Sequence, residues 1–320
     1  VAQVIAAYAH AIDAPIVYQT VRRVSVAGYG YRVETDSAIW HARAVVMASG
    51  ANALPAVPAF AHAVPSRVLS LNAAQYVRPD DLPDEGGVLV VGASATGMQL
   101  ADEIHRSGRK TILSVGEHIR LPRRHRGRDI HWWMSSAGIF DQRIEEMDDP
   151  IRARRVPSPQ LVGSVDCHDL DLNRLTAIGV ELVGRLAGVR DGVCQFSGSL
   201  ANQCAMADLK MNRLLSTVDR WARESAWNEC ARKAASSARE APEPTRVPGK
   251  PRLAIDLARG EVGTILWATG FRPNFGFLDA DVFDRRGRLK HESGLVAPGL
   301  TVMGLPFMRR RKSSFIHGVE

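Results

Sequence analysis

The stretch Gly87-Val88-Leu89-Val90-Val91-Gly92-Ala93-Ser94-Ala95-Thr96-Gly97-Met98-Gln99-Leu100-Ala101-Asp102-Glu103-Ile104 decides how the rest of the chain is read. The run Val88 to Val91 predicts a strand buried on both faces, the form that a parallel sheet requires. A turn from Gly92 to Gly97 follows, and then Gly97, Leu100, Ala101 and Ile104 fall on one face of a predicted helix. Gly108 can end that helix, and Thr111 to Val115 supplies another apolar strand. Strand, glycine turn, helix and strand in this order make a βαβ unit. The predicted fold class is therefore α/β with a Rossmann-like sheet.

The turn matches the dinucleotide fingerprint at its first and third glycines, Gly92 and Gly97, and carries Ser94 at the second. The first glycine permits a tight turn, the middle position lets pyrophosphate approach the backbone, and the third lets helix and strand pack closely. Ala95 and Thr96 complete the turn, where free N–H groups and the positive end of the helix dipole would face phosphate. The plainer alternative is a strand-to-helix turn without a ligand. Flanking strand and helix favour the nucleotide. At the end of the second strand, Ser114-Val115-Gly116 stands where an acidic residue would hold ribose hydroxyls, and Glu117 lies slightly too far on. Arg120, Arg123, Arg124, Arg126 and Arg128 follow, and a guanidinium can bind a 2′-phosphate through its planar fork. NADPH is expected over NADH. Ser114, Arg120, Arg123 and Arg124 are its candidate contacts, although at least half of these arginines are expected to be solvated loop.

Two strands end alike, at Ala48-Ser49-Gly50 and at Ala268-Thr269-Gly270. Each has the form of the closing strand and turn of a dinucleotide-binding unit. Two closings imply two units, yet only one opening glycine turn is present. Val1 to Tyr18 contains no glycine, so the first unit is expected to lack its front.

These features resemble the two-dinucleotide flavoproteins, in particular the flavin-containing monooxygenase-like FAD/NAD(P)-dependent oxidoreductases. The matching residues are Ala44 to Gly50, the turn at Gly92, Trp267-Ala268-Thr269-Gly270-Phe271-Arg272-Pro273, and Val302-Met303-Gly304-Leu305-Pro306. The resemblance implies an NAD(P)H-binding domain inserted in an FAD-binding α/β domain that lacks its N-terminal glycine motif. Read onto this chain, residues 1–78 are part of the FAD domain and residues 79–271 are the NAD(P)H domain, with a helical insert and linker near 200–251. Residues 272–320 return to the FAD domain. The implied cofactors are NADPH and FAD, with hydride passing from one to the other before oxygen is activated against a small-molecule substrate. No protein nucleophile is expected, because the cofactors carry the chemistry. The resemblance also places Gly50, Ala268, Thr269, Gly270 and the turn Gly304-Leu305-Pro306 near FAD or the nicotinamide junction, and Arg309 to Ser314 near the flavin. A non-catalytic NADPH-binding protein without flavin is the alternative.

The totals agree with this reading. At 320 residues and 45% hydrophobic, the chain can fill about two domains. Cys167, Cys194, Cys204 and Cys230 form no C-x-x-C pair, so a metal site is not expected. The net charge of +7 comes with arginines that are not interleaved with stacking aromatics, which argues against a nucleic-acid partner. The apolar runs fall short of the roughly 18 residues needed to span a membrane. No export signal is recognised at Val1, so a cytoplasmic setting is expected.

Overall fold

Residues 2–162, 168–225, 229–237 and 241–318 are described by the structure, a computed structural model. The chain forms two compact units, Gly50–Pro273 with Gly304–Glu320, and Val1–Ser49 with Asn274–Met303. Cys167 lies outside the described residues.

The larger unit is organised by a five-stranded sheet. In chain order its elements are β1 (Leu69–Asn72), β2 (Gly87–Val91), helix α1 (Ala95–Arg106), β3 (Thr111–Val115), α2 (Leu172–Ile178), β4 (Glu181–Gly184), α3 (Leu200–Glu224) and β5 (Val262–Trp267). The strand order is β4-β3-β2-β5-β1, and every pairing is parallel. The predicted βαβ unit is present as β2-α1-β3. Because side chains alternate along a strand, β2 feeds two cores. Val88 and Val90 meet Met98, Ala101 and Ile104 of α1, together with Leu172, Leu175 and Leu200. Leu89 and Val91 meet Leu186, Phe196 and Ile255 on the opposite face. That second face is covered by a three-stranded antiparallel sheet, Leu186–Arg190, Val193–Phe196 and Ala254–Asp256. Double coverage explains why β2 and β3 are apolar throughout their length.

Strand β1 lies upstream of the expected boundary at residue 79. It joins the sheet by pairing with β5, and the Trp267 indole N–H donates to Ser70 Oγ at 2.9 Å. Leu69-Ser70-Leu71-Asn72 is short and sits outside any βαβ pattern, so only its long-range partner identifies it. Helix α3 links the main core to a helical one: Leu200 and Cys204 face the sheet core, while Met211, Leu215 and Val218 pack with Ile130 and Trp133.

The smaller unit contains an antiparallel meander, Val21–Ala27, Gly30–Thr35 and Ile39–Ala42, extended by Leu278–Asp279. Val45–Met47 pairs in parallel with Leu300–Val302 and lies at the edge of its sheet, where Val46 is 61% exposed. Helix Ala2–Ala11 leaves Val4, Ile5 and Tyr8 exposed. Among the described residues of this unit, no strand runs through a glycine turn into a helix of the Gly92 kind.

A charge cluster closes the N-terminal ends of the sheet strands. Arg252 donates to both Glu181 oxygens at 2.6 and 2.7 Å and to Glu261 at 2.8 Å, and Lys110 reaches Glu261 at 2.7 Å. The Arg252 bond, followed by that of Lys110, holds the Glu261 carboxyl down at about 2. A carboxylate depressed in the folded state stabilises above its unfolded pKa and loses that contribution as pH falls through the folded value. Solvent screening limits the contribution to about 1 kcal/mol. Glu261→Gln should lower the unfolding free energy measured by urea titration at neutral pH by that amount, with the gap to the parent closing as pH drops from the ordinary carboxylate range toward 2. A gap that stays constant with pH would show that the cluster acts through packing.

Candidate functional site

In a doubly wound sheet a ligand crevice opens outside the carboxyl ends of the strands, where the strand order reverses. Here that point lies between β2, which continues to β3 on one side, and β5 on the other. Gly92 leaves β2 with φ of +114°, and a Cβ on it would lie 2.4 Å from the carbonyl oxygen of Ala268. A Cβ on Gly97 would lie 1.8 Å from the Gly92 oxygen and 3.4 Å from the Ala268 Cβ. The two glycines and Ala268 thus form one contact that larger residues cannot make. The structure brings together the two motifs, Gly92 to Gly97 and Ala268 to Gly270, that lie far apart in sequence.

Ser94 is the N-cap of α1 in extended geometry, and its side chain makes no capping bond. Ala95 and Thr96 begin the helix, with Thr96 exposed. The first N–H groups of a helix lack intrahelical acceptors and suit an anion. Beneath the turn, Gln160 donates from Nε2 to the Ala93 carbonyl at 2.7 Å. Gln160 is 2% exposed, and its Oε1 has no hydrogen-bond partner. This support was not predicted, because nothing in the local sequence ties residue 160 to the turn.

On the other side of the crevice, Thr269 Oγ1 donates to the Ala56 carbonyl at 2.9 Å, and Ala56 N–H donates to the Gly270 carbonyl at 2.9 Å. Phe271–Arg272 pairs with Leu54–Pro55. The predicted turn therefore clips the segment Leu54 to Ala56 to the end of β5. Gly50 and Gly304 open the two segments of the larger unit, with φ of +72° and +78° and open space where a side chain would stand. Leu305 is buried and its N–H meets the Met308 sulfur at 3.3 Å, while Pro306 is exposed.

The ribose end differs from expectation. Ser114 is 1% exposed, and its hydroxyl is engaged between strands, donating to the Gly184 carbonyl at 3.1 Å and accepting from Leu186 N–H at 2.9 Å. Arg120 is turned inward: it is 4% exposed and bonds to Asp171 at 2.6 Å and Asp208 at 2.7 Å, with further bonds to the Glu243 carbonyl and Thr245. A phosphate would have to displace two carboxylates to reach it. Arg123 pairs with Asp129 at 2.7 Å, and its backbone N–H donates to Asp169. Arg124 alone of the three is exposed with no ion pair among the described residues.

Two basic residues absent from the sequence reading stand closer to the end of β3. The exposed side chain of Arg185, which follows β4, packs 3.4 Å from the place a Cβ on Gly116 would occupy. Lys210 pairs with Glu117 at 3.0 Å and, with Arg152, holds that carboxyl below its ordinary range. Glu117, His118, Arg152, Gln203 and Lys210 line a cleft of about 220 Å³. Position immediately after a strand that abuts β3 is the signal that would have found Arg185. Burial drives up the thiols of Cys194 and Cys204, to about 11 each, so neither is a poised nucleophile. Among the described residues, no group of three or more acidic, His or Cys side chains is arranged to hold a metal. No helix there is long and apolar enough to cross a membrane.

No family model matches the chain. It is similar to an uncharacterized oxidoreductase CzcO-like protein of Geobacillus kaustophilus, 24% identical over 301 residues and covering 90% of this chain. An uncharacterized oxidoreductase CzcO of Bacillus subtilis is 22% identical over 292 residues, again across 90% of this chain. The chain spans 65% of the length of either relative. Among solved structures, a flavin-containing monooxygenase from Stenotrophomonas maltophilia superposes with a TM-score of 0.57 at 16% identity, covering 98% of this chain and 71% of that one. The likeness is one of fold, an α/β chain built on a parallel sheet. The α/β class and the resemblance read from Gly92 to Gly97 and the two closing turns thus agree with the relatives found.

Proposed function

We propose that this chain is the NADPH-binding part of an FAD-dependent oxidoreductase of the monooxygenase-like kind, acting on a small-molecule substrate. The observation that carries it is the Gly92, Gly97 and Ala268 contact at the reversal point of the sheet, which leaves backbone and helix N–H groups open to a pyrophosphate. The names of the relatives, oxidoreductases and a flavin monooxygenase, support the reaction class. NADPH, when bound, supplies the hydride that reduces the flavin. The protein's share is placement: Ser94, Ala95 and Thr96 present the pyrophosphate cradle, Gln160 fixes the Ala93 peptide, and Ala268 to Gly270 shape the wall beside the nicotinamide. Arg185, Lys210 and Arg124 take the 2′-phosphate role in place of Arg120 and Arg123. Gly50 and Gly304-Leu305-Pro306 border the flavin junction. The described residues offer no second pyrophosphate turn, so the residues present make only a partial fit to FAD and no step is routed through it.

A second reading is a binding protein that holds NADPH without flavin. Absorbance of the purified chain separates the two. A yellow protein with flavin bands supports the oxidoreductase, and a colourless protein that still binds NADPH supports the second reading. For cofactor choice, Arg185→Ala should weaken NADPH about tenfold, or about 1.4 kcal/mol, and NADH less than about twofold. Equal weakening of both, measured by fluorescence titration, would remove Arg185 from the phosphate role.

A further inference from the structure

Phe307 has a backbone conformation that a bulky residue avoids, with φ of +48°, and it is 3% exposed. Such strain concentrates at ligand sites, where surrounding structure enforces it. Here the enforcement is visible: Ile144 N–H donates to the Arg309 carbonyl at 2.9 Å, and Arg311 N–H to the Gln142 carbonyl at 3.0 Å. Two guanidinium groups converge on this one residue. Arg154 Nε donates to the Phe307 carbonyl at 3.2 Å, and Arg311 Cζ lies 5.0 Å from the centre of the Phe307 ring.

Neither arginine has a carboxylate partner among the described residues. Their neighbours do, since Arg310 and Lys312 share Asp141 at 3.1 and 2.7 Å. Arg311 instead points Nε and Nη2 at the neutral Gln142 Oε1, at 3.2 and 2.9 Å. A half-buried cation whose contacts are an amide oxygen, the Met147 sulfur at 3.7 Å and an aromatic ring has no counter-charge, which is costly unless an anion joins it, and burial pushes the Arg311 pKa down. The rest of both guanidinium forks is geometrically suited to paired oxygens.

We propose that the Phe307 turn is a binding site for an oxyanion, a carboxylate or phosphate group held between Arg154 and Arg311. The site is assigned independently of the nicotinamide nucleotide reading. Its ligand is either a phosphate of a nucleotide or the carboxylate of a substrate.

The test is arginine modification of the full chain by phenylglyoxal, mapped by peptide mass spectrometry, with inorganic pyrophosphate or benzoate as probe anion. At least one probe should slow labelling of both Arg154 and Arg311 fivefold or more, while the exposed Arg286 keeps its rate. Protection by pyrophosphate alone points to a nucleotide phosphate, and protection by benzoate to a substrate carboxylate. Labelling of Arg154 and Arg311 that neither anion changes relative to Arg286 overturns the site. Arg154 is exposed, so Arg154→Gln leaves folding intact and should abolish protection at Arg311. Full protection of Arg311 in that variant overturns the shared site.

Discussion

Replacing Gly97 by alanine is expected to abolish measurable NADPH binding and to lower the melting temperature by roughly 6–12 °C. The added Cβ would stand 1.8 Å from the Gly92 carbonyl oxygen, a backbone atom with no side-chain freedom to withdraw. Helix α1 must then move off β2, and its buried residues Met98, Ala101 and Ile104 lose their fit to the sheet. Overpacking of this kind costs about 3 kcal/mol. The same movement carries the helix N–H groups away from the phosphate position, so binding and stability fall together. Gly188→Ala is the control, because nothing lies within 4 Å of a Cβ there. It should melt within about 0.5 kcal/mol of the parent and bind normally. A Gly97→Ala protein that binds NADPH as the parent does, measured by fluorescence titration beside calorimetric melting, would show that the cofactor does not use this turn.

What could be read from the sequence was what the backbone itself constrains. A turn that needs small residues, and a helix that needs one apolar face, leave local marks, and Gly92, Gly97, Leu100, Ala101 and Ile104 carry them. Long-range partnership leaves none. Gln160 reaches the Ala93 peptide from a distant segment, and β1 is a strand only because β5 lies beside it. Charge is the clearest case. Arg120, Arg123 and Arg124 look alike along the chain, yet the structure buries the first, pairs the second with Asp129 and leaves the third free of ion pairs among the described residues. Each arginine's role depends on whether a carboxylate from another element reaches it first, and that is a property of the fold.

Arg120→Ala should therefore behave as a core mutation. The Arg120 guanidinium joins three elements: Asp171, which also caps α2 by accepting the Arg174 N–H at 2.9 Å; Asp208 on α3; and the segment Glu243 to Thr245. Asp208 additionally accepts the Thr245 N–H and hydroxyl at 2.7 and 2.9 Å. Removing the cation leaves two carboxylates, 24% and 15% exposed, without the charge that neutralises them. Breaking a buried ion pair from one side costs about 3–5 kcal/mol, more than the pair contributes over a hydrophobic replacement, because the orphaned charge stays behind. Arg120→Met, which refills the volume, should recover little while Asp171 and Asp208 remain. The triple change of Arg120→Met with Asp171→Asn and Asp208→Asn should recover more, since no uncompensated charge is left. Throughout, the ratio of NADPH to NADH affinity should stay constant, opposite to the result expected of Arg185→Ala. A stable Arg120→Ala protein that loses NADPH selectively would return this arginine to the ribose phosphate and reverse the assignment.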